Sequence, residues 1–121
     1  MKAFAITCII FTCLIAIIII NFIYINNTAD TLKELTEAIL PYSDDLNMRI
    51  EELDSFWKKN LIKIELSVNH SIINNISASI ESIKSYSQSG EKALLSREII
   101  LLKEGILELR RLERIKVSNI F

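Results

Sequence analysis

Residues 43–86 read SDDLNMRIEELDSFWKKNLIKIELSVNHSIINNISASIESIKSY. Apolar side chains recur there at Leu46, Ile50, Leu53, Trp57, Leu61, Ile64, Val68, Ile72, Ile76, Ile80 and Ile83, ten steps averaging 3.7 residues. That is the period of an α-helix, not the alternation of a half-buried strand. Ile leans toward strand by propensity, but 24 of the 121 residues are Ile and nine are Asn. Ile is therefore a bias of the whole chain, and periodicity outranks propensity. Ser43 stands where an N-cap belongs, with Asp44 and Asp45 in the first turn, where the helix dipole favours anions. The run from Ser85 to Gly90 closes the helix. The spacing predicts one long helix over 43–86, about 65 Å at 1.5 Å per residue.

Beyond Gly90, a second stripe of Leu95, Ile99, Leu102, Ile106, Leu109 and Leu112 predicts a helix over 91–117. The short turn makes the two helices antiparallel neighbours. Counting outward from it sets Ile83 against Leu95, Ile76 against Leu102, Ile72 against Ile106 and Leu61 near Val117. Asn119, Ile120 and Phe121 then fall beside Trp57, and Phe121 is expected to pack on Trp57 and close the open end of the hairpin. The acidic first third of the long helix extends past its partner. Its stripe must be covered by residues 31–40, by a second copy or by another protein. From Leu61 to Ile83 the apolar arc spans roughly 200°, wide enough for two helices.

Before Pro41, residues 31–40 form a short linker helix that continues the segment preceding it. Residues 3–25 read AFAITCIIFTCLIAIIIINFIYI, 23 residues without a charge. A hydrocarbon core of about 30 Å needs roughly 20 apolar residues in a helix, and Phe22 and Tyr24 suit one interface. A cleaved signal peptide has an h-region of about 7–15 residues and a small-residue cleavage site. This run is longer, and Asn26-Asn27-Thr28-Ala29 is a poor site, so an uncleaved signal-anchor is expected. Lys2 on one side, against Asp30, Glu34 and Glu37 on the other, favours a cytoplasmic amino terminus and an outer C-terminal domain. Cys8 and Cys13 lie on different faces of the span and serve as small apolar residues. The chain divides into an anchor over 1–29 and an extracytoplasmic domain over 30–121, all-α throughout: a transmembrane helix, a linker helix and an antiparallel hairpin.

Without Lys2 the charges are 13 basic against 15 acidic, which gives no footprint for nucleic acid. Residues 30–60 carry eight acids and four bases, whereas residues 91–116 carry five acids and seven bases. The basic end includes Arg110, Arg111, Arg114 and Lys116, where cations complement a helix C-terminus and can also meet anionic lipid or an acidic partner. His70, the single histidine, has no Glu three or four residues away, so the spacing that loads metal into a helical bundle is absent. It is expected to be a half-buried helix contact. Phosphate loops, zinc-ligand spacings and nucleophile elbows are absent too. No enzyme activity, cofactor or metal is expected.

The order of a short anchor, Trp57, His70 followed by Ile73-Asn74-Asn75-Ile76, a helical hairpin and terminal Asn119-Ile120-Phe121 resembles a known family. It is that of the small single-pass proteins of low-GC, often spore-forming bacteria, catalogued as a domain of unknown function. The family has no assigned activity. Its members' frequent neighbourhood with genes for multi-pass membrane proteins implies an accessory subunit. The expectation is a non-enzymatic membrane-anchored module that binds another integral membrane or envelope protein, or itself, through Trp57, Ile100, Leu107 and the 119–121 tail. Ile100 and Leu107 stand apart from the main stripe on a charged face. The alternatives are an extracytoplasmic sensing bundle, which needs a cavity between helices, and a division-type coiled-coil anchor, which would not be broken at Pro41 and Gly90.

Overall fold

The computed structural model describes residues 1–120, the last of them for its backbone alone. Four helices make up the chain: α1 (Lys2–Glu37), α2 (Leu46–Glu65), α3 (His70–Ser89) and α4 (Lys92–Ile120). The all-helical class expected from periodicity holds, and no strand occurs among the described residues. α1 packs on α2 and α4, α3 packs on the same two helices, and the diagonal pairs stay apart. The result is a four-helix ring in up-down-up-down order.

α1 is 36 residues long, about 54 Å. Its linker portion does continue the apolar run, so the boundary expected at 29/30 falls inside an unbroken helix. Ile25, Ala29 and Leu32, each at 0% exposure, already lie in the bundle core. The helix stops at Ala38, and Pro41 follows in the turn.

The long helix expected over 43–86 is instead two. α2 ends at Glu65, where Ser67 and Val68 both donate backbone hydrogen bonds to the Ile64 carbonyl. Asn69 is extended (φ −57°, ψ 130°), and its side chain accepts from the Ser71 amide at 2.8 Å, capping α3. The apolar phase survives the break because Val68, inside the turn, is itself buried between Ile64 and Ile72 of the stripe. Period alone therefore reads straight through the turn. One consequence is that the stripe over residues 46–57 is covered within the chain, by α1, which includes the linker residues, and by α3. α3 is flanked by α2 and α4, which is the two-helix cover its wide arc requires.

The turn after α3 follows the sequence signal. Gly90 adopts φ 73°, the left-handed conformation that only glycine takes cheaply. The Glu91 amide donates to the Tyr86 carbonyl at 3.0 Å and the Gly90 amide to Ser87 at 3.4 Å, closing the helix end. At the same end, Lys92 Nζ donates to the Pro41 carbonyl, fastening the start of α4 to the α1–α2 loop. Ser43 does not cap α2. Its hydroxyl bonds the Asp45 carboxylate, and Asp45 takes the N-cap position without a side-chain cap bond.

Candidate functional site

Two surfaces and three polar ties distinguish this bundle. The first surface is the apolar half of α1, a long run of apolar side chains none of which is buried. Phe4 is 74% exposed, Phe11 64% and Ile20 66%. The two threonines in this half turn their hydroxyls back to the helix, Thr7 donating to the Ala3 carbonyl and Thr12 to Cys8, both at 2.8 Å. Both hydroxyl protons are thereby satisfied within the helix itself. The second surface is the outer face of α4, where Ile100 and Leu107 are each 57% exposed. Arg111 continues this face and pairs with Glu108 at 2.6 Å. That guanidinium holds the Glu108 carboxyl below its usual range.

The polar ties join helices that sequence spacing could not pair. Tyr24 of α1 donates to Asn60 Oδ1 of α2 at 2.8 Å. Asp30 of α1 forms an ion pair with Arg110 of α4. Asp54 of α2 receives Lys58 at 3.0 Å and Lys84 of α3 at 3.2 Å. Burial works to raise the Asp54 pKa, but the hydrogen bonds from Lys58 and then Lys84 outweigh it and hold it below the ordinary carboxylate value. Residues 54 and 84 would lie about 45 Å apart on one continuous helix. Only the hidden turn at 66–69 brings them together, so this contact was not legible from spacing.

Trp57 is 2% exposed, and its indole Nε1–H donates to Ser77 Oγ of α3 at 2.8 Å. It is a core anchor of the α2–α3 pair. Its expected contact with Phe121 lies outside the described residues, as does the side chain of Ile120. Asn119 does not stand beside Trp57. It is exposed and borders an open groove of about 330 Å³ with Ser67, Ile72, Glu113 and Lys116, because α4 ends against the 66–69 turn. Lys116 Nζ confirms that placement, donating to the Ser67 carbonyl at 2.8 Å. His70 is exposed rather than half-buried, since it opens α3 instead of lying mid-helix. Glu113, at 5% exposure, was missed by sequence reasoning. Burial pushes its carboxyl pKa up, against the pull of Lys116 at 3.9 Å. Among the described residues no three His, Cys, Asp or Glu side chains converge as a metal-ligand set.

A helical bundle whose first helix extends into a long exposed apolar segment is the class these features define. The chain belongs to the family described as Domain of unknown function (DUF4363), whose model matches residues 18–120. The match begins inside the apolar run, two turns before the first core residue, Ile25. No curated protein matches the chain, and no solved structure does.

Proposed function

We propose that this chain is a non-enzymatic, single-span membrane protein whose bundle is an interaction subunit for another integral membrane or envelope protein. The observation that carries the reading is the character of α1: an unbroken helix whose residues 2–14 are exposed on every face and whose second half is a bundle member. A lipid bilayer is the solvent that makes such a surface stable. The amino terminus is cytoplasmic and the bundle outside, on the vote of Lys2 against Asp30, Glu34 and Glu37. The Ile100 and Leu107 face of α4 supplies apolar contact for a partner, with cationic Arg111 and Arg114 alongside. The aliphatic core, with Leu53, Ile64, Leu102 and Leu109 at 0% exposure, weighs against a sensing bundle built around a cavity.

The test is a crosslinked pull-down from membranes through an N-terminal tag, with captured proteins identified and counted by mass spectrometry. One stoichiometric membrane protein, lost when Ile100 and Leu107 are both changed to Ser, is the expected result. Recovery of this chain alone would overturn the accessory-subunit reading. Orientation is read separately by Ser87→Cys: an impermeant thiol reagent is expected to label it in intact cells, and labelling only after lysis would reverse the topology.

A further inference from the structure

The bundle begins before the apolar run ends. Lys63, near the end of α2, shares a groove with Ile17, Ile20, Asn21 and Tyr24 of α1, and its ammonium lies 6.0 Å from the centre of the Tyr24 ring. From Ala3, Ile17 is about 21 Å along the helix and Ile20 about 26 Å, whereas the hydrocarbon core is about 30 Å thick. A helix that crosses the bilayer from Ala3 therefore carries this end of the bundle into the lipid boundary.

The side chains at that level suit the position. Leu66 is 86% exposed and Ile62 is 73% exposed, beside the exposed cations Lys63, Arg114 and Lys116. The acids in the same layer are Glu65, exposed, and Glu113, buried. Lys116 ties the end of α4 to the 66–69 turn, so the two elements present one surface. Exposed aliphatics flanked by long cationic side chains are the pattern of an interfacial membrane contact, in which the lysine stems lie along the apolar layer and the charges reach the headgroups.

We propose that the anchor-proximal end of the bundle, formed by Ile62–Leu66 and the Arg114–Lys116 turn of α4, docks into the headgroup layer and binds an anionic phospholipid surface. The proposal rests on α1 being a membrane anchor, and it goes further: it fixes the bundle against the bilayer instead of leaving it on a free stalk. Outer-face residues such as Ile100 are then held at a set height for a membrane partner.

The test uses the full chain with Cys8→Ala and Cys13→Ala, reconstituted in vesicles of phosphatidylcholine with or without one third phosphatidylglycerol. An environment-sensitive fluorophore is placed at Leu66→Cys or, as a control at the far end, at Tyr42→Cys. The expected result is that the label at residue 66 is blue-shifted and shielded from an aqueous quencher while the label at 42 is not. The shielding should deepen with the anionic lipid, and Lys63→Glu with Lys116→Glu should remove that increment, each lysine contributing about fivefold to the docked population. A label at 66 as quenchable as that at 42 in both lipids, in a protein that still floats with the vesicles, would overturn docking and leave the anchor intact. A protein that fails to float with the vesicles would instead overturn the anchor reading itself, and docking with it.

Discussion

The two halves of α1 differ in what covers their side chains. Residues 2–14 expose apolar groups on all sides, with Phe4, Ile10, Phe11 and Leu14 each more than half exposed. From Ile25 onward the same helix buries one stripe, Ile25, Thr28, Ala29, Leu32 and Thr36, and turns charged residues outward. Its backbone does not change at the boundary, and nor does its treatment of hydroxyls. Thr7 and Thr12 bond back four residues in the exposed half, and Thr28 and Thr36 do so in the buried half, at 2.8 and 2.6 Å. A helix satisfies its own backbone in either surrounding. What differs is the angular distribution of apolar side chains, all round in one half and one-sided in the other.

The sharpest way to break that contrast is to make the same cut in both halves. Leu32→Ala should cost about 2–5 kcal/mol of bundle stability through the cavity it leaves. Leu14→Ala should change it by less than about 0.5 kcal/mol. Denaturant unfolding of the full chain in mild micelles, followed by circular dichroism, reads both. Equal losses would mean that the apolar half is packed against protein.

Two carboxylates test whether the bundle half has the interior described, and they carry opposite signs. Asp54 has a folded pKa below its unfolded value, so its contribution is present above the unfolded value of about 3.9 and is lost as pH falls through the folded one. Asp54→Asn should therefore destabilise at neutral pH and cease to matter in acid. Glu113 has a folded pKa above its unfolded value, so stability falls as pH rises through that window. Glu113→Gln should stabilise the bundle at neutral pH and match the parent near pH 4. Unfolding midpoints measured from pH 3 to pH 8 would reveal either sign as wrong.

At the junction of the halves, Tyr24→Phe removes the hydrogen bond to Asn60 and should cost about 0.5–1.5 kcal/mol. No loss would place Asn60 out of reach of α1 in lipid. The smallest effect is expected at Gly105. A methyl group there would meet Ile76 Cγ1 at 3.4 Å, an ordinary contact. Gly105→Ala should stabilise α4 by up to about 1 kcal/mol, measurable as a raised melting temperature.

The apolar half of α1, the stop before Pro41 and the turn at Gly90 were all legible, because each has a local cause: a run without charge, a missing amide, a glycine at positive φ. The turn at 66–69 was not. Its one signal is Asn69, a cap lost among nine asparagines, and Val68 fills the turn with an apolar residue in phase. Missing that turn misplaced the surroundings of His70, Trp57 and Asn119 together, since all three depend on where α2 reverses. The Asp30–Arg110 and Tyr24–Asn60 ties depend on α1 closing the ring, which spacing within one helix does not encode. The basic end of α4 could be read in composition, but its neighbourhood with Lys63 could not.

The most direct measurement is a nitroxide scan of α1 in the full chain reconstituted in bilayers, reading oxygen accessibility residue by residue from Lys2 to Glu37. High accessibility is expected on every face through about residue 14, followed by a 3.6-residue oscillation that deepens to minima at Ile25, Ala29, Leu32 and Thr36. A helix that oscillates along its whole length, or one that shows no minima after Ile25, would contradict a single helix shared between lipid and bundle.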